Sequence, residues 1–526
     1  MMRRARVLAL LLALMVMACG TRASDERFDA VVRGANGEGS QAAALDSDSG
    51  DAGTFDSGAA SEGTTESASS EPGAVGGDGG GGGGDVASGP DGDGGGAGPA
   101  APSGDGGPAP GGGGGGPANV ASDVGVTETT IKVGSVVSVN GPLGPRQFSP
   151  TFYGMNAYVE WLNSQGGVNG RKVILVTCDD RESEEANRRC AERLVEQEKV
   201  FAFLGNNTRV WDTGAAKYTD DQGVPVVGGY TIGLSHTYFP TIFDFSVGSE
   251  SGYPRDYKVG QDGLTFTSTS GCVFWAKKGV KRAASIFYSI PISKEAGLNG
   301  KSCLEAEGID VVTYEINPAV PNWDAVAADM QQRKIQAAFD YVDIVANQNL
   351  CRALDRRGYR LDYKVSTIAV QARWVKNDFS HPCRESIYIG GGTEPLGSSH
   401  PEAARFRETM SKVYQGRFDR ELHQWAFDAW LGGIQFKEAV ESMGPNVTRK
   451  GLMAWYNALD RYDCHGLCSP RDYSPNIRKD GQPIRGCVSI VRWNERTGEF
   501  VTWADRKDEA NCVTGKWVAE PASYSP

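Results

Sequence analysis

The chain has 526 residues and a net charge of −12, a length that suits two or three domains. The acidity is local: residues 20–120 hold 32 of the 70 glycines, 16 acidic residues, three arginines and no lysine. Residues 121–526 keep 47 basic and 49 acidic side chains, which argues against a phosphate-neutralising, nucleic-acid-binding domain.

The N-terminus opens with Met1-Met-Arg-Arg-Ala-Arg6 and an apolar run Val7–Ala18. Twelve apolar residues are too few to span about 30 Å of hydrocarbon but suit the core of a secretory signal. The run ends in Val16-Met-Ala-Cys19-Gly20, which resembles the bacterial lipobox, so residues 1–18 are expected to be removed and Cys19 lipidated. The expected location is the extracytoplasmic face of the cell membrane. Residues 19–125 then form a Gly/Asp/Ser-rich tether with too few apolar side chains to fold; about a hundred such residues reach roughly 50–60 Å. Asp91-Gly-Asp lacks the closing Glu of a calcium loop, and Gly111–Gly116 lacks the strand and Lys-Ser/Thr of a phosphate loop.

From residue 130 short apolar runs alternate with amphipathic segments, the mark of parallel βαβ units. Ile131–Val137 reads as a strand, Ser149–Asn163 as a helix with Phe152, Met155, Val159 and Leu162 on one stripe, and Lys172–Thr177 as a strand. Ser183–Glu198 is a predicted helix capped by Ser183, with Glu184 and Glu185 in its first turn. Strands Phe201–Leu204 and Pro225–Val227 flank a helix over about 211–222. The alternation restarts at Ala283–Phe287 and continues through Asp310–Glu315, Ala337–Val342, Lys364–Ala369 and Ser386–Ile389, before helix-rich stretches at 401–415 and 421–460. The fold class is α/β, with two doubly wound parallel-sheet lobes. The predicted division is 126–249 with 392–483 for lobe I, and 250–391 with 484–526 for lobe II.

Setting Cys19 aside leaves ten cysteines, an even number for an oxidising compartment. Local geometry favours Cys178, at a strand end, with Cys190 in the next helix. Cys464/Cys468 and Cys487/Cys512 crowd the tail, and Cys351/Cys383 and Cys272/Cys303 are the remaining candidate partners; sequence alone does not choose the connectivity. Cys464-His465-Gly-Leu-Cys468 has no second Cys/His pair at zinc spacing, so no metal is expected. The five histidines form no HExxH motif and no serine nucleophile elbow is present, so neither an enzyme nor a cofactor is expected.

Tyr153-Gly-Met-Asn-Ala-Tyr-Val-Glu-Trp-Leu-Asn-Ser-Gln-Gly-Gly-Val-Asn-Gly-Arg-Lys172 resembles the first helix and turn of type I periplasmic binding proteins. Within them it is most similar to the branched-chain amino-acid-binding receptors of ABC importers. Ile131-Lys-Val-Gly-Ser, Gly141-Pro-Leu, Cys178-Asp-Asp, Leu204-Gly205, Asp221-Gln-Gly-Val-Pro-Val226, Ala426-Phe-Asp-Ala429 and Gly498-Glu-Phe-Val501 extend the resemblance in order over most of 128–505. It implies three crossings between the lobes, a monomer, and closure on a small polar ligand that an ABC permease then receives. Independently, ligands of open parallel sheets sit beyond the strands' carboxyl ends.

Carried over residue by residue, the resemblance places the ligand's carboxylate at Asn207-Thr208-Arg209 and Gly229-Tyr230-Thr231, with Thr231 the best match and Phe148 near a pocket lid or in the core. Arg209 stands where the family has serine, as a bidentate carboxylate clamp or a solvated surface side chain. In lobe II, Tyr288 lies near one family tyrosine position and Asp343 occupies another. No acid lies between Asp362 and Asp378, where the family's ammonium partner belongs. Either Asp343 substitutes for it, or the ligand has no α-ammonium. The expected function is capture of an amino acid or related carboxylate or amide for an ABC importer; the alternative is a surface lipoprotein that senses a ligand and signals to a membrane partner.

Overall fold

A computed structural model describes residues 118–143, 147–231, 233, 235–245, 264–366, 372–415, 422–471, 473 and 480–521. The signal, Cys19 and the predicted tether up to residue 117 lie outside the described residues.

The first sheet consists of β1 (Thr130–Val137), β2 (Lys172–Asp179), β3 (Ala202–Leu204), β4 (Asn207–Thr208), β5 (Val226–Val227), β6 (Tyr230–Thr231) and β7 (Ile242–Phe243). All its pairings are parallel, with β1 between β2 on one side and β3 and β4 on the other. Side chains alternate along each strand. Ile131 and Val133 therefore face the helices Ser149–Ser164 and Gln424–Ser442, while Val136 and Phe203 face Leu194, Trp211 and Ala215 on the opposite side. Burial on both faces is what selects near-continuous apolar strands in a parallel sheet.

Two strands break and resume at the site end of this sheet. Gly205 (φ 74°) separates β3 from β4, and Gly228 (φ 64°) separates β5 from β6. A left-handed conformation at these points favours glycine, and each break redirects the chain before the residues expected to meet a ligand. Helix Ser149–Ser164 crosses helix Gln424–Ser442 so closely that a Cβ on Gly154 would run into the backbone of Ala426. The later helix is thereby fixed on the first lobe, although about 270 residues separate the two contacts in sequence.

The second sheet contains β9 (Arg282–Tyr288), β10 (Asp310–Ile316), β11 (Ala337–Tyr341), β12 (Tyr363–Ser366), β13 (Ile387–Gly390), β15 (Ile490–Asn494) and β16 (Glu499–Ala504), in the order β10-β9-β11-β12-β13-β15-β16. The first five are parallel, and β15 and β16 return as an antiparallel edge. The parallel sheet thus ends in an antiparallel edge: a short hairpin whose turn ends at Gly498 (φ 68°) joins β15 to β16 without a crossover helix. A separate three-stranded antiparallel sheet, unanticipated in the sequence, joins β8 (Leu264–Ser268), β14 (Pro483–Cys487) and β17 (Cys512–Pro521).

Helix Glu184–Glu192 starts at Ser183, whose side chain accepts the Ala186 N–H, and Glu184 and Glu185 sit in its first turn. The disulfides are Cys178–Cys190, Cys272–Cys303, Cys351–Cys383, Cys464–Cys468 and Cys487–Cys512. Among the described residues no helix is long and apolar enough to cross a membrane.

Candidate functional site

At the carboxyl end of the first sheet, three acids at the end of β2 and just beyond it, Asp179, Asp180 and Glu182, organise the neighbouring loops. Asp179 accepts the backbone N–H groups of Val139 (2.9 Å) and Asn140 (3.3 Å) and the Asn140 side-chain amide (2.7 Å), holding the loop after β1. Asp180 is fully buried and accepts from Ser138 Oγ (2.6 Å), Asn187 Nδ2 (2.9 Å), the Glu182 N–H (3.0 Å) and the Thr208 hydroxyl. The turn that follows places Arg181 and Glu182 at φ 51° and 58°. A non-glycine residue there costs of order 1–3 kcal/mol, which the bonds to Asp179, Asp180 and Glu182 offset.

The sequence-predicted residues of lobe I are thus engaged within the protein. Thr208 is fully buried; its hydroxyl donates to Asp180 and accepts the Val210 N–H at 3.2 Å. Arg209 is paired within the protein. Its Nε donates to Glu182 Oε2 at 2.7 Å, with the guanidinium side chain 25% exposed and the carboxylate 1% exposed. Glu182 also accepts the Leu143 N–H at 3.0 Å. Phe148 is buried and lies parallel to Trp425, with ring centroids 6.2 Å apart. Gly229 runs against the backbone of Asn206, where a Cβ would collide, and the Tyr230 N–H donates to Asn206 O at 2.7 Å. Thr231 continues β6 beside Thr208; its side chain lies outside the described residues.

Tyr230 is held by partners from a distant part of the chain. Its hydroxyl donates to Asp428 Oδ2 at 2.7 Å, and its ring meets Trp425 and Phe245. Asp428 Oδ1 accepts Thr393 Oγ1 (2.6 Å) and Gln424 Nε2 (3.2 Å). Burial raises the Tyr230 phenol well above its ordinary range and also raises the Asp428 carboxyl, against the lowering effect of its hydrogen bonds and of Arg471. Sequence reasoning assigned no role to Asp428, Thr393 or Arg471. Ala426-Phe-Asp-Ala429 carried part of the resemblance, but a motif gives no direction for its side chain.

In the second lobe, Tyr288 at the end of β9 and Asp343 after β11 come together, the phenol donating to Asp343 Oδ2. The other oxygen of Asp343 accepts the Val345 (2.6 Å) and Ala346 (3.1 Å) N–H groups and caps helix Ile344–Arg356. Burial and the neighbouring carboxylate hold the Tyr288 phenol far above its ordinary pKa. Beneath this pair, Lys364 is fully buried among Asp340, Asn347 and Ser366, and burial lowers its pKa. Among the described residues no group of His, Cys, Asp or Glu is placed to hold a metal ion; Cys464 and Cys468 are joined to each other.

Residues 130–499 match the family described as periplasmic binding protein. The chain belongs to that family. Its members are extracytoplasmic solute-binding proteins, and the two parallel-sheet lobes are the type I form of the fold. No curated protein matches the sequence. Solved structures similar to it include a leucine-binding protein from Thermotoga maritima (14% identity, TM-score 0.54, covering 71% of this chain and 98% of that one). A second is a Rhodopseudomonas palustris ABC-transporter solute-binding protein in complex with benzoate (16%, 0.55, 75% and 98%). A third is a fatty acid ABC transporter substrate-binding protein from Thermomonospora curvata (16%, 0.55, 73% and 94%). At these identities the likeness is one of fold.

Proposed function

We propose that this periplasmic binding protein captures a small carboxylic acid that lacks an α-ammonium group and delivers it to an ABC permease. It would act as a monomer held to the membrane by a lipid on Cys19. The observation that carries the ligand class is the state of Asp343. One of its oxygens caps a helix and the other takes the Tyr288 hydroxyl, so the acid best placed to meet an ammonium already uses three of its about four acceptor sites within the protein. Residues 363–377 supply no other acid. In lobe I, Arg209 keeps a partly exposed guanidinium beside the β4 end, and a charge-assisted bond from it to a ligand carboxylate would be among the stronger contacts at the site. The fold accommodates such acids, as in the benzoate complex and the fatty acid transporter's binding protein, as well as amino acids, as in the leucine-binding protein.

The test is thermal stabilisation of the full chain by benzoate, branched 2-oxo acids, medium-chain fatty acids and free branched-chain amino acids. A ligand at 100 times its Kd adds about 2.7 kcal/mol. The expected result is stabilisation by one of the ammonium-free acids and none by the amino acids. Asp343→Asn is expected to keep the helix cap, since Asn caps as well as Asp, and to leave the affinity for that acid within about twofold. Stabilisation by an amino acid that is lost in Asp343→Asn would overturn the ligand class.

A further inference from the structure

The residues around Tyr230 join two places that must act together in a hinged receptor. The turn Gly229-Tyr230-Thr231 lies at the ligand end of the first sheet. Thr393 lies where the chain passes from β13 back to the first lobe: the Gly391 N–H donates to Ser489 O (3.1 Å), the Ser469 N–H to Gly392 O (2.7 Å) and the Glu394 N–H to Leu467 O (2.7 Å). Asp428 lies between them, 1% exposed, one oxygen taking the Tyr230 hydroxyl and the other the Thr393 hydroxyl. A second link runs in parallel. The Phe245 N–H donates to Gly229 O at 2.8 Å, and Arg471 lies 3.9 Å from the centre of the Phe245 ring and donates to Phe245 O. Phe245 is the last described residue before the chain leaves for β8, and Arg471 lies just ahead of its return to β14. Phe245, Thr393 and Arg471 therefore meet at one buried cluster around Tyr230 and Asp428.

We infer that Tyr230 is a positioning residue that contacts no ligand: through Asp428 its hydroxyl ties the ligand turn to the Gly390–Thr393 crossing, so that the turn and the hinge shift as one unit. Its purpose rests on the receptor reading above; its test does not, because coupling between two sites is reciprocal and is readable without ligand. The experiment is amide hydrogen exchange on the ligand-free full chain, followed in peptides. Tyr230→Phe removes one hydroxyl and is expected to speed exchange about tenfold in peptides holding Gly391 and Ser469. Thr393→Val, made on the other side of the carboxylate, is expected to do the same in peptides holding Tyr230 and Phe245. In both variants β1 and β9 should keep their wild-type protection. Tyr218→Phe, which removes a comparable 2.8 Å bond to Glu196, should change neither set. If a variant fails to fold, Asp428→Asn retains the shape with a single acceptor oxygen and should raise exchange on both sides. Unchanged exchange across the carboxylate, or an equal rise in β1 and β9, would refute the coupling. Failure of the receptor reading appears instead as an empty ligand panel.

Discussion

At the scale of single residues, the site is built from carboxylates that meet protein donors before they meet a ligand. Asp180, Glu182, Asp343 and Asp428 each accept several bonds, and each fixes a loop or turn that the β-strands alone leave free. Asp428 gives the clearest consequence. Burial raises its pKa above the ordinary value of 3.8, so the folded protein holds this proton more tightly than the unfolded chain. Its contribution to stability is full below pH about 4 and is lost as pH rises through the folded value. Urea unfolding across a pH series is expected to show the wild type losing stability relative to Asp428→Asn as pH rises from about 4. Parallel curves would show that the carboxylate carries no such shift. The position of Asp428 in a recognisable motif was legible in the sequence. Its partners were not, because Tyr230 and Thr393 lie 198 and 35 residues away.

At the scale of elements, short apolar runs alternating with amphipathic segments identified the main parallel strands, most clearly those such as β1 and β9 that are buried on both faces. That pattern overlooked the small sheet of β8, β14 and β17, in which β8 lies more than 200 residues before the other two strands. It also gave no reason for a lysine in β12. Lys364 pairs with Asp340 of β11, both with fully buried side chains, and Asn347 of the covering helix completes the group. The pair aligns a sheet and a helix beneath Tyr288 and Asp343. Removing one member of a buried pair strands a charge, whereas replacing both with apolar groups is often neutral. Lys364→Met is therefore expected to cost about 3–5 kcal/mol, and the double variant Lys364→Met/Asp340→Leu to recover most of it. Denaturant unfolding of the three proteins checks this; additive losses would mean that the pair has no mutual dependence.

At the scale of the whole molecule, each disulfide closes a loop of at most 32 residues. Every lobe is stapled within itself, and the passages at Phe245, Thr393 and Arg471 carry no covalent cross-link to one another. Replacing Cys272 and Cys303 by serine is expected to lower stability by about 3–4 kcal/mol through the freed unfolded chain. It should leave exchange at the Gly390–Thr393 crossing unchanged when read under native conditions. A rise there would mean that this staple reaches the hinge.

By itself the sequence determined the properties that are local or periodic: a glycine-rich, acidic N-terminal quarter, βαβ alternation, the Ser183 cap and an ordered set of family motifs. Each depends on neighbours within a turn or two of chain. The tertiary structure alone decided what the site's side chains do. Arg209 meets Glu182, Tyr230 meets Asp428 and Asp343 meets Tyr288 because buried polar groups must find partners wherever the packed chain brings them. Sequence spacing does not record those meetings.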